Sequence, residues 1–242
     1  MKTSRPIPIA LTALVALFSA LAALAVSGGM NMAQAHGNAP MQMQGMQGMA
    51  MTMAVHAPPG RSDKAWQFRE AMRKLWEDHI TWTRLAIISL EGGTPDTDAT
   101  VARLLQNQAD IGDAVKPFYG TAAGNELTAL LRQHILIAAD VIAAAKAGDQ
   151  AKLADAQARW TKNANDIAAL LHSVNPHNWP LKLLKDEMHM HLALTMQEAV
   201  DHLQGNWAAD VADYDRVHDH ILHMSDILAN GIIEQFPAKF AG

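Results

Sequence analysis

From Asp63 to Phe236 the apolar residues return every three or four positions, with charged and amide side chains between them. That spacing is the period of a helix with one buried face, and no stretch shows the strict alternation of a half-buried strand. Turn-forming clusters interrupt it at "EGGTPDTD", "PFYGTAAG", "KAGDQ", "NPHNWP" and "LQGNW". They predict six helices over about 63–91, 96–116, 121–147, 149–173, 180–203 and 206–236. Asp96 and Asp149 suit helix starts, and Gly92, Gly148 and Gly205 suit left-handed C-terminal positions; Pro237 ends the last helix. The alanine-rich composition favours helix throughout.

The stripes carry a second regularity. "DHITWTRLAIISLEGG", "QHILIAADVIAAAKAG" and "MHLALTMQEAVDHLQG" align without gaps, each with a His (His79, His134, His191) fourteen residues before a Gly. The helices that follow contain "NQADI", "NANDI" and "HMSDI", centred on Asp110, Asp166 and Asp226. The body therefore reads as an all-α, six-helix bundle built from three helical hairpins of about 56 residues, the hairpins either closing round a common core or stacking in a row.

Each repeated His shares its stripe with apolar residues: Leu75, Trp82 and Ala86 beside His79; Leu127, Leu130, Ile137 and Val141 beside His134; Leu184, Met188 and Thr195 beside His191. If the hairpins close, His79, His134 and His191, with Met188 one turn away, reach one level. There they form either a three-imidazole metal site or three hydrogen-bonded core histidines. A weaker cluster lies in "DYDRVHDHILHM". His220 and His223 are three apart and His220 and Met224 four apart, so each pair shares a face that is either metal-binding or merely solvated.

The residues before Asp63 behave differently. Lys2 and Arg5 precede an apolar run from Ile7 to Val26, and Ala33-Gln34-Ala35 follows, which is the layout of a signal peptide over residues 1–35. Export to the periplasm or exterior is expected, with a membrane anchor the alternative if the segment is retained. Residues 36–62 then read "HGNAPMQMQGMQGMAMTMAVHAPPGRS", too poor in bulky apolar residues to order themselves, and are expected to be a disordered tail. Six methionines, Met41, Met43, Met46, Met49, Met51 and Met53, stand between His36 and His56. Thioether sulfur is soft and needs no deprotonation, so this spacing suits Cu(I). Cleavage after Ala35 also makes His36 a chelating N-terminus for Cu(II). The chain has no Cys, so thiolate cannot compete for the metal.

"LWEDHITWTRLAIIS", "PFYG", "HILIAADVIAAAKAGD", "NPHNWP" and "GIIEQFP" resemble an uncharacterised family of bacterial, all-helical exported proteins, over about residues 70–240. Its members often carry kinase or glycosyltransferase names. The resemblance implies a helical bundle and supplies no catalytic residues. A kinase reading finds no strand followed by a Gly-rich phosphate loop.

The net charge of −5, falling to about −7 once Lys2 and Arg5 leave with the signal, offers no basic face for nucleic acid. His-Glu-x-x-His, Cys-x-x-Cys-His and Gly-x-Ser-x-Gly are absent. Asp186-x-x-His189 and Asp215-x-x-His218 only approximate the Glu-x-x-His pairs of di-iron bundles. The sequence thus points to an exported metal-binding protein, sequestering or delivering copper through its tail. The rivals are an envelope interaction module with the tail as spacer, docking a protein partner, and a His/carboxylate metallo-enzyme in the bundle core.

Overall fold

Helix-forming residues and local caps divide the chain much as the pattern requires. In a computed structural model, which describes residues 62–241, the elements are α1 (Asp63–Gly92), α2 (Thr97–Ala147), α3 (Gln150–Val174), α4 (Leu181–Gln204), α5 (Trp207–Gln235) and the four-residue α6 (Pro237–Phe240). There is no strand among the described residues. The fold is all-α.

The helix ends show which caps the chain uses. Ser62 opens α1 by accepting the Ala65 N–H, and Asp149 opens α3 by accepting from Lys152 N. Asp96 precedes α2 but makes no side-chain cap bond to it; its carboxylate takes the Thr94 hydroxyl instead. Gly148 and Gly205 are left-handed C-terminal residues, as expected, and at the end of α1 it is Gly93 (φ 62°) rather than Gly92. Pro237 does more than stop α5. It starts α6, which turns Phe240 back against Phe68 and Phe118.

The second and third expected helices are the two arms of α2, 97–119 and 121–147, broken at Gly120 (φ 85°, ψ 167°). Only glycine takes that backbone at little cost. Pro117, three residues earlier, removes one helical N–H and helps to unseat the turn.

The first hairpin is α1 with the N-terminal arm of α2. Asn107 donates to the Leu75 carbonyl across it (3.0 Å). The second is the C-terminal arm with α3, where Asn163 donates to the Leu130 carbonyl (3.1 Å). The third is α4 with α5. α5 also lies along α1, and α3 along α4, so the three hairpins close into one bundle. The main hydrophobic core runs through all three, including Met72, Ile80, Ile111, Ile167, Ile221 and Ile232, with a smaller cluster of Ala86, Leu104 and Ile135 beside it. At one end the "NPHNWP" turn drives Trp179 into that core, its indole N–H donating to the Ile227 carbonyl.

Candidate functional site

Closure brings the repeated histidines together. The His191 ring centroid lies 5.8 Å from that of His79, 6.1 Å from that of His134 and 6.3 Å from that of His220. The first three rings are buried, so water is replaced by apolar side chains around each.

Their hydrogen bonds set what they can do. His134 Nδ1–H donates to Asn163 Oδ1 (2.8 Å), and its Nε2 accepts from the Trp160 indole (3.1 Å). Both ring nitrogens are engaged, which fixes a neutral tautomer. His79 Nδ1 accepts from Gln108 Nε2 (3.1 Å), so its one lone pair is also in use. His191 is the exception: it is 4% exposed, and its Nδ1 has no partner. In the gap-free alignment of the three segments, Met224 stands where Gln108 serves His79, and His223 where Asn163 serves His134.

Burial drives all three rings toward the neutral form. His79 falls to about 3, with the neighbouring His134 adding to the effect and the Gln108 bond opposing it. His134 falls to about 4 despite its bond to Asn163. His191 falls well below its ordinary value, first by burial and then through the other imidazoles.

His220 sits at the edge of this cluster, between core and solvent. Its Nε2–H donates to the Glu187 main-chain carbonyl (3.1 Å). That leaves Nδ1 as a lone pair, 3.7 Å from Glu187 Oε2. On the other side of the same carboxylate, His223 Nε2 lies 3.7 Å from Oε1. Burial lowers the His220 pKa, with His223 acting in the same direction and Glu187 against it. Met188 and Met224 are buried beside it. They line a narrow apolar slot in the bundle with Met72, large enough for about one water.

The two Asp-x-x-His pairs do not converge. Asp186 pairs with Lys182, His189 bonds Asn165, and His218 approaches Glu77. Among the described residues, no group of three or more His, Asp or Glu side chains is placed to hold a metal ion. The tail ligands His36, Met41, Met43, Met46, Met49, Met51, Met53 and His56 lie outside the described residues.

The sequence reading missed a buried charge cluster at the far end of the same stripe. Arg84 grips Asp210 with two guanidinium nitrogens and Glu198 with one (2.9 Å), and His202 Nδ1 reaches Asp210 Oδ2 (3.0 Å). Burial, partly offset by Arg84, raises Glu198 to about 7. Burial and the two neighbouring carboxylates raise Glu91 to about 8. The signal was available: Glu198 is seven residues after His191, on the same inward face.

No family model matches this chain, and no curated protein or solved structure shows significant similarity to it.

Proposed function

We propose that the protein is an exported copper-binding protein that sequesters the metal or hands it on through its Met/His-rich N-terminal segment, with the helical bundle as its base. One observation carries this reading. Six methionines within thirteen residues, flanked by His36 and His56, offer soft donors in a chain without a single Cys. Thioethers release a metal one sulfur at a time, which suits exchange with a partner better than a rigid cage does.

The root of the segment supports the same reading. Ser62 donates its hydroxyl to the Phe240 carbonyl, and Lys64 reaches the Ala241 carbonyl (3.0 Å), so the segment leaves a fixed end of the bundle. Twenty-six residues, 36–61, span up to about 90 Å when extended. The level of His79 is roughly 25 Å along α1 from that root, well within reach. The leader-like layout of residues 1–35 fits an exported chain, and copper is met most directly outside the cytoplasm.

Titrating Cu(I) against a chromophoric chelator, in the mature chain and in a chain with all six methionines replaced by Ala, tests the reading. Loss of tight Cu(I) binding in the replaced chain is the expected result. Equal binding by both chains overturns it. If neither takes up metal, an envelope interaction module becomes the better account.

A further inference from the structure

The level one turn beyond the buried histidines is thinly filled. Four residues after His79, His134 and His191 stand Thr83, Ala138 and Thr195, and eight residues after them Ile87, Ile142 and Ala199. All six line one pocket, because positions four and eight after a core residue stay near the same helix face. Three hairpins that close with such short side chains at one level leave the space between them incompletely filled. The pocket has a volume of about 40 Å³, room for roughly two or three waters. Buried Leu104, Ile135 and Trp160 complete its wall. Leu90 and Ile142 line both this pocket and an open surface groove beside Lys146, which gives a way in.

The two threonines use their hydroxyls differently. Thr83 Oγ1 donates to the His79 carbonyl of its own helix (2.8 Å). Thr195 stands at the aligned position and is 5% exposed, yet its hydroxyl has no hydrogen-bond partner. The Trp160 indole N–H is spent on His134. Among the side-chain oxygens and nitrogens that line the pocket, only Thr195 Oγ1 makes no bond. A buried hydroxyl left unpaired is unfavourable, which favours an occupant able to bond it. Water fits poorly, since it needs several polar partners and the lining side chains leave one free. An apolar body carrying a single oxygen matches both the walls and the hydroxyl.

We propose that this pocket binds a short-chain alcohol or ketone of about three or four carbons, its oxygen on Thr195 Oγ1 and its alkyl part against Leu104, Ile135 and Ala138. The hydroxyl sets the orientation of the ligand, and the apolar walls supply the burial. The site belongs to the bundle alone and does not depend on copper binding by the tail.

Methionine methyl NMR tests the proposal in the mature chain. Met196 lines this pocket, whereas Met72, Met188 and Met224 line the other apolar slot. Titration with propan-1-ol should shift the Met196 signal, identified through Met196→Leu, to saturation and leave the signals of the other three in place. Thr195→Val keeps the side-chain shape but removes the hydroxyl, and should weaken propan-1-ol binding about fivefold. 1-Chloropropane, of similar size but without a hydroxyl, should bind parent and Thr195→Val equally, which shows that the cavity is intact. Ala138→Leu should fill the pocket and abolish binding of both probes, with a thermal melt to check its fold. The proposal is overturned if Met196 does not shift, or if all four methionines shift together without saturating. It is equally overturned if Thr195→Val affects both probes alike, or if a folded Ala138→Leu chain binds them as the parent does.

Discussion

Replacing His79 by Met isolates the energetics of the imidazole cluster. In the folded chain His79 is depressed to about 3, against an ordinary value of 6.5. A group depressed by folding contributes stability that is whole above its unfolded pKa and is lost as pH falls toward the folded one. Below pH 6.5 each such imidazole should therefore remove about 1.4 kcal/mol of stability per pH unit. By pH 4.5 the His79 loss is about 2.7 kcal/mol. His134, depressed to about 4, adds a similar loss, so the pair costs about 5 kcal/mol by pH 4.5, and His191 acts in the same direction.

Glu91 and Glu198 have the opposite sign. Their raised folded pKa values, about 8 and about 7, mean that the folded chain gains stability as pH falls through that range, and this gain ends near 4.5, the ordinary glutamate value. The parent should thus lose stability gently down to pH 4.5 and steeply below it. Urea unfolding followed by tryptophan fluorescence at pH 7.0, 6.0, 5.0 and 4.5 reads the effect. The stability gap between parent and His79→Met should narrow, or reverse, by about 2–3 kcal/mol across that series. Parallel curves would mean that His79 titrates normally in the fold, and the account of a dry, neutral cluster would be wrong.

Three further outcomes follow from the same contacts. Asn163→Ala removes the acceptor of the buried His134 N–H and should cost about 2–3 kcal/mol, while Lys162→Ala, which breaks only an exposed i,i+4 pair with Asp166, should cost under about 0.5 kcal/mol in thermal and urea melts. Arg84→Met leaves the buried Asp210 and Glu198 without their cation and should cost about 3–5 kcal/mol at pH 8. The cost should be smaller at pH 5.5, where Glu198 takes up a proton; an equal loss at both pH values would contradict its raised pKa. Gly231→Ala drives a methyl into the buried Trp179 indole, whose Nε1 would lie 2.1 Å away, and should lower Tm and redshift tryptophan emission, whereas an unchanged Tm would mean that the turn gives way freely.

The periodicity of the stripes predicts all the long helices, because burying one face of each requires apolar residues every three or four positions, whatever the partner. Gly148 and Gly205 were legible as helix ends because a left-handed backbone selects glycine almost alone. The break at Gly120 was legible only as an interruption; that the two arms stay one element turning on a single residue depends on packing along both arms. Among the candidate ligands, His79, His134 and His191 could be placed on inward faces from spacing. Their hydrogen-bond partners could not, since Gln108, Trp160 and Asn163 lie 26 to 29 residues away and meet them only across a hairpin.

The sequence by itself determined the local terms: helix, cap, inward face, and a soft-donor segment set apart in composition from the body. The tertiary structure decided what is long-range. It packed α5 along α1 and α4 along α3, which together bring His191 within reach of both His79 and His134. It buried Arg84 with two carboxylates drawn from two other helices. It also set Glu187 between two imidazoles of α5, a juxtaposition hidden in sequence because the residues are 33 and 36 positions apart. Periodicity fixes which way a side chain points; only the closing of the hairpins fixes what it meets there.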